Sequence, residues 1–323
     1  MFQNVYLIFN PVSGQGNPET DLTFIRSVIE ESCPLTVLET SADEPVETLV
    51  RAAIDDDADC VVASGGDGTV STVAGALIGC DIPLGIVPRG TANAIATAFS
   101  ISNNLAVACE TILTGNPQKI DVAQCNQYPL LLLAGIGLEA DVISQANRQL
   151  KNKIGSAAYI LSAFQQVRDL SVFEVEMETP ERIITVEASG ITVANAAPAT
   201  SVLAHGPSTV LPHDGLVDVT IFAPQGTASA IAASYNLFQS AMNKQSSNRE
   251  DVGYFRCSSI KISTTPEQKV VVDGEMRGTT PVEVRCIPRG LTLITPKGGN
   301  FDPPERLEGL PNLAITYKNQ TES

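Results

Sequence analysis

The chain has no tryptophan, only two histidines, and few charged side chains, at 17% of its length. With His205 and His213 the whole complement, a catalytic or metal centre built on several imidazoles has little to draw on. Cysteine is present without pattern: Cys33, Cys60, Cys80, Cys109, Cys125, Cys257 and Cys286 are odd in number and never stand at CxxC spacing. Neither a disulfide framework nor a zinc cage is expected, and they read as reduced core residues of a cytoplasmic protein. Positive charge is scarce too. Lys+Arg 20 against Asp+Glu 36 leaves a net charge of −16, which argues against bulk electrostatic binding of nucleic acid or of an anionic membrane. The uncharged stretches 188–213 and 220–243 are interrupted throughout by Pro, Gly, Asn, Ser or Gln, so no membrane span is expected. The opening MFQNVYLIFNP has no basic stretch and is expected to run straight into a strand rather than form a signal peptide.

What is present is apolar mass. At 323 residues and 43% hydrophobic, the chain can bury two substantial cores, which excludes a disordered, collagen-like or rod-like molecule. The first hundred residues alternate short apolar runs with helical patterns. Strands are predicted at 5–10, 35–40, 60–64 and 83–87, with helices at 21–31, 43–55, 69–78 and 91–99. Continuous apolar strands between helices specify an open parallel α/β sheet covered on both faces. After about residue 118 strands dominate: 172–178, 183–189, 191–196, 217–222, 256–264, 269–272, 282–287 and 291–295, with helices only at 155–168 and 227–242. The expected organisation is an α/β domain over 1–118 and a β-sandwich domain over 119–297. The tail, 298–323, is expected to pack back on the first domain or fray.

The chemistry gathers in loops. Gly65-Gly66-Asp67-Gly68-Thr69 stands between a strand and a helix, where glycines let a ligand approach the backbone and helix-start amides attract anions. It is neither a Walker A loop nor a dinucleotide fingerprint. A carboxylate beside phosphates calls for a divalent cation, so Asp67 reads as a metal-handling residue, with a helix cap as the plainer alternative. Asn10-Pro-Val-Ser-Gly-Gln-Gly follows the first strand and Pro88-Arg-Gly-Thr-Ala-Asn the fourth, so all three loops fall at the carboxyl ends of parallel strands, where ligands bind in open α/β sheets.

These three stretches are followed in order by Gly135-Ile-Gly-Leu-Glu-Ala, Gly155 with Tyr159, Leu211-Pro-His-Asp-Gly-Leu-Val-Asp-Val and Asp273-Gly-Glu. The ordered set resembles the diacylglycerol kinase catalytic-domain family, which includes sphingosine kinases and bacterial soluble lipid kinases. The resemblance covers nearly the whole chain. It implies a nucleotide-binding α/β domain, a β-sandwich domain, an active site in the cleft between them, and ATP- and magnesium-dependent phosphorylation of a lipid hydroxyl. By position it implies nucleotide contacts from Asn10, Thr40, Gly65, Gly66, Asp67, Gly68, Thr69, Val70, Ser71 and Thr91, with Asp67 organising magnesium. Glu275 would take the proton of the attacking hydroxyl, with Asp273 beside it; an Asp-Gly hairpin turn at 273–274 is compatible with that role. In the bacterial soluble members the loop matching 211–216 binds a second, structural magnesium. Here its ligands would be Asp214 and the carbonyls of Leu211 and Leu216, against the alternative of a metal-free turn.

Three positions depart from the family pattern: Ser71 and Ala94 stand where many bacterial relatives carry Asn and Asp, and Gln15 replaces a common Lys. Arg89 is then the nearest cation to the phosphates by sequence. A lipid acceptor implies peripheral membrane contact during turnover, for which Arg148, Lys151, Lys153 and Arg168 form a candidate docking surface or simply a solvated face. The bacterial relatives make a homodimer plausible. Two other readings are an NAD kinase, which shares the Gly-Gly-Asp-Gly-Thr loop, and a weakly catalytic nucleotide- or lipid-binding protein.

Overall fold

The computed structural model describes residues 2–14, 16–138, 140, 171–197, 212–224, 226, 229, 232–233, 249–296 and 312–317. The chain divides into two compact units, the first Met1–Val122 with Arg289–Gly299 and the second Ala123–Pro288 with Asn300–Ser323.

The first unit runs β1 (Val5–Phe9), α1 (Pro18–Glu30), β2 (Leu35–Glu39), α2 (Val46–Asp55), β3 (Cys60–Gly65), α3 (Asp67–Leu77), β4 (Leu84–Pro88), α4 (Ala94–Ala98) and α5 (Leu105–Thr114). Apolar β1, β3 and β4 are buried along their whole length, as strands with both faces covered must be. They pair in parallel with β2 in the order β4-β3-β1-β2. Val5, Leu7 and Phe9 pack against Ile25 and Ile29 of α1 and against Cys109 and Ile112 of α5. The α1 helix starts where the Asn17 side chain accepts the Glu19 and Thr20 amides, with Pro18 and acidic residues in the first turn complementing the positive end of the dipole.

Strand β5 (Asn116–Cys125) leads into the second unit, which continues with β6 (Tyr128–Leu130), β7 (Leu133–Gly137), β8 (Phe173–Glu178), β9 (Arg182–Ala188), β10 (Gly190–Ala194), β11 (Val217–Phe222), β12 (Val252–Cys257), β13 (Ser259–Thr265), β14 (Lys269–Val272), β15 (Glu275–Thr279), β16 (Val282–Thr295) and β17 (Ala314–Tyr317). One antiparallel layer has the order β12-β11-β10-β7-β14-β15. The other runs β17-β9-β8-β13-β16, also antiparallel. Their inner faces share one core that includes Ile136, Val193, Val219 and Phe255 from the first layer and Val175, Val186, Ile262 and Val284 from the second. This is a β-sandwich. The end of β16 lies in the first unit, where Leu293 pairs in parallel with Leu84 of β4.

Several expectations are corrected. The stretch expected as one strand at 256–264 is two, β12 and β13, which belong to different layers. The two expected at 282–287 and 291–295 are one, β16, which runs through Arg289 at φ 53. Helix α5 and strands β5, β6 and β7 were not foreseen. Residues 314–317 of the tail pair antiparallel with β9 of the second unit rather than packing on the first. The helices expected at 155–168 and 227–242 and the basic cluster Arg148, Lys151, Lys153 and Arg168 lie outside the described residues, apart from isolated positions of the second helix. All seven cysteines are free; Cys80 is half-buried and the other six are buried. Burial pushes the Cys109 and Cys125 thiols up from 9.0 to about 11, with the Asp273 charge adding to the second. None of the described helices is long and apolar enough to cross a membrane.

Candidate active site

Parallel register assembles the site in the first unit. Phe9 stands beside Glu39 on one side and Ser64 on the other, and Gly65 beside Pro88, so β1, β2, β3 and β4 release their loops along one edge. Backbone bonds continue the pairing one residue further: Thr40 N–H donates to the Phe9 carbonyl at 2.8 Å, Asn10 N–H to Ser64 at 2.9 Å and Arg89 N–H to Gly65 at 2.8 Å. Asn10, Thr40, the Gly65–Ser71 stretch and Thr91 therefore gather along one edge of the sheet.

The loops fit through absent side chains. A Cβ built on Gly90 would lie 2.6 Å from the Gly66 Cα, and one on Gly65 would meet the Thr69 side chain at 2.7 Å. The β3–α3 and β4–α4 loops thus touch backbone to backbone, an approach only glycine permits. Helix α3 opens at Asp67 with no side-chain cap on Gly66, and its first internal bond runs from Val70 N–H to the Gly66 carbonyl at 3.0 Å. The amides of Asp67, Gly68 and Thr69 precede that bond, so the positive end of the helix dipole stands open at this edge. Gly66 N–H points instead to Ser13 Oγ, at 3.3 Å, which ties the first loop to the second.

Polar side chains lock this frame. Asn10 Nδ2 donates to Thr69 Oγ1 at 2.8 Å while its Oδ1 accepts Val12 N–H at 3.1 Å, so both ends of the amide hold loops in place. Asp67 is half-buried and its Oδ1 accepts Ile95 N–H at the start of α4, at 2.9 Å. Asp67 thus ties the start of α3 to the start of α4, whose own N-cap residue is Asn93, and among the described residues its other oxygen accepts no bond. One carboxylate oxygen beside helix-start amides suits a magnesium ion that keeps most of its waters. Val70 is 3% exposed, which confines any contact with a ligand to its backbone.

Arg89, the cation that the sequence places beside these loops, is held by the protein itself. Its side chain is 3% exposed, with Nε on Asp21 Oδ2 at 2.9 Å, Nη1 on the Asn10 carbonyl at 2.8 Å and the guanidinium 4.3 Å from the Phe9 ring centroid. It braces the loops from beneath. Ser13 belongs to the Asn10-Pro-Val-Ser-Gly-Gln-Gly stretch that the sequence singles out, whereas Asp21 belongs to no motif and was missed; an acidic residue in the first turn of α1 reads equally well as a dipole partner.

In the second unit, β14 and β15 form a hairpin in which Val272 faces Glu275. Its two-residue turn is Asp273-Gly274, with φ 47 and 90, the positive pair that a tight hairpin demands. The Asp273 carboxylate accepts Leu131 N–H at 2.8 Å on Oδ2 and Leu132 and Leu133 N–H at 2.9 and 3.1 Å on Oδ1. Three backbone bonds make it the clamp that sets the turn. Glu275 is exposed on β15, and the Arg277 guanidinium donates to its Oε2. Arg277 in turn lies 4.4 Å from the Tyr128 ring centroid. Residues two apart share a strand face, so Arg277 was findable from its spacing to Glu275; Tyr128 was not.

At the loop expected to hold a second metal, Asp214 bonds within the protein. Asp214 Oδ2 accepts Arg256 Nη1 at 2.6 Å and Oδ1 accepts Leu216 N–H at 3.0 Å. Leu211 lies outside the described residues, and among those described no cluster of His, Cys, Asp and Glu is placed to hold a metal.

Comparison with known proteins gives a consistent result. Residues 4–125 match the diacylglycerol kinase catalytic domain, and residues 133–295 match the YegS C-terminal NAD kinase beta sandwich-like domain. An uncharacterized protein of Synechocystis sp. is 45% identical over 302 residues, covering 90% of this chain and 70% of that one. Diacylglycerol kinase of Bacillus subtilis is 26% identical over 298 residues, covering 90% of this chain and 96% of its own length. The crystal structure of a diacylglycerol kinase from Bacillus anthracis is similar at a TM-score of 0.73 and 26% identity, covering 91% of this chain and 97% of the other.

Proposed function

The chain belongs to the diacylglycerol kinase catalytic-domain family and is a lipid kinase, and from that premise we propose that it transfers the γ-phosphoryl group of ATP to the hydroxyl of a lipid alcohol such as diacylglycerol or a sphingoid base, with magnesium. The observation that carries this reading is the edge where three glycine-bearing loops meet the uncapped start of α3 beside half-buried Asp67. Helix-start amides there would take phosphate oxygens, while Thr40 and Thr91 bound the nucleotide site. Asp67 would hold the magnesium ion, whose charge supplies electrostatic relief at the phosphates.

Glu275 is assigned the proton. As the acceptor oxygen forms its bond to the γ-phosphorus and the bond to the ADP oxygen breaks, the hydroxyl proton passes to the Glu275 carboxylate. Arg277 fixes that carboxylate through Oε2 and Asp273 fixes the turn that carries it. The acceptor being a lipid, turnover takes place at a membrane surface, with the protein peripheral to it.

The test is transfer of label from ATP to a panel of lipid alcohols in mixed micelles with magnesium, with NAD as a parallel acceptor. Label in a lipid supports the proposal and names the substrate. Label in NAD alone would replace it with the NAD kinase reading, and ATP binding without transfer would favour a nucleotide-binding protein that lacks turnover.

A further inference from the structure

The turn before β11 carries a site whose chemistry differs from that of the metal loop it resembles. A structural magnesium there would need the Asp214 carboxylate as its one charged ligand, with backbone carbonyls and water completing an octahedron at about 2.0–2.1 Å. That carboxylate is already engaged at both oxygens, by Arg256 at 2.6 Å and by the Leu216 amide at 3.0 Å. The Arg256 contact is short even for a charge-assisted bond, and both side chains are only about one-fifth exposed, at 20% and 19%. Arg256 has little freedom to withdraw. It sits within β12, directly opposite Asp218 of β11. Two residues earlier on the same face of β12, Tyr254 donates its hydroxyl to Asp218 Oδ1. A divalent ion on Asp214 would share an oxygen with a guanidinium already bonded to it, at a place where only about one-fifth of either side chain meets water.

The donor set does not fit the ion. We propose that the Arg256 guanidinium takes the place of the divalent cation, so that the 212–216 turn is held to β12 by an internal positive charge and needs no magnesium. The sequence pattern around Asp214 marks where a cation is required; the residue that supplies it stands 42 positions later, on the neighbouring strand. The inference concerns stability and is independent of which acceptor the enzyme phosphorylates.

The experiment is a thermal melt of the full chain, free of nucleotide and lipid, in EDTA and in millimolar magnesium. A ligand that binds only the folded protein raises the melting temperature by mass action, so a magnesium site at Asp214 would be visible. Any rise of the wild-type melt in magnesium, such as one from an ion at Asp67, is expected to be kept in full by Asp214→Asn, which should lower the melt equally in both buffers. Arg256→Gln, which removes the charge, is expected to melt lower in EDTA and to recover part of the loss in magnesium. That recovery should vanish when Asp214→Asn is added. Arg256→Lys guards against failure of the Gln variant to fold and should respond to magnesium no more than the wild type does. A wild-type melt that rises with magnesium and loses that rise in Asp214→Asn would overturn the proposal, as would an Arg256→Gln protein that folds but gains no more from magnesium than the wild type does.

Discussion

Asp273 and Glu275 are two residues apart and both acidic, yet their surroundings give them different work. Asp273 is closed over three backbone amides while Glu275 is exposed beside one guanidinium. Replacing Asp273 by Asn turns an amide NH₂ toward a backbone donor, and leaving such a donor unsatisfied costs about 1–3 kcal/mol. Urea unfolding of Asp273→Asn should register a loss of that order; an unchanged midpoint would remove the clamp from the account. Glu275→Gln is expected to leave stability alone and to lower kcat far more than it raises the KM for ATP, and an unaffected kcat would move the base elsewhere. Asp67→Ala should abolish transfer with the fold retained, measured by turnover alongside circular dichroism. The Asp-Gly turn and the role given to Glu275 are legible in the motif, but the closure of Asp273 over the amides of 131–133, which are distant in sequence, is not. Arg89 is the same lesson with opposite sign: its place beside the glycine-bearing loops was legible, but its burial on Asp21 and Phe9 depends on tertiary contacts.

Elements were legible where one periodicity runs unbroken. Strands β1, β3 and β4 are buried along their whole length and read as unbroken apolar runs, so their positions were recovered to within about a residue or two. Strands β12 and β13 follow each other with a single residue between them and diverge into separate layers, a change of direction that alternation does not encode. Helix α5 is mostly apolar and short, with Asn104 as its cap, and lacks the polar face that announces an amphipathic helix. The contact of the β3–α3 and β4–α4 loops gives a graded expectation. A Cβ at Gly90 meets the other backbone at 2.6 Å and one at Gly66 at 3.3 Å. Gly90→Ala should therefore weaken ATP binding roughly tenfold or more, about 1.4 kcal/mol, and Gly66→Ala less. Calorimetric titration of ATP into the two variants checks the ranking, and equal affinities would mean that the loops part without consequence.

The whole molecule is acidic, and its response to base is set by what it buries. Cys109 and Cys125 ionise in the folded chain near about 11 against 9.0 when exposed, chiefly through burial, and burial together with Asp218 likewise holds the Tyr254 phenol in its protonated form. Groups that keep their proton longer in the folded state contribute stability that is complete below pH 9 and disappears as the pH climbs through about 11. Chemical denaturation across that window should show a falling free energy with a shallower slope in Cys109→Ala; a parallel slope would place the alkaline limit elsewhere. The same burial has a practical side. Six thiols are sealed in the cores and Cys80 alone is half-open, in the link between α3 and β4. That link lies at the amino ends of the parallel strands, opposite the edge that carries the three glycine-bearing loops. A maleimide dye added to the native chain should therefore attach at one position, without mutagenesis, and report ligand binding from the opposite end of the parallel strands.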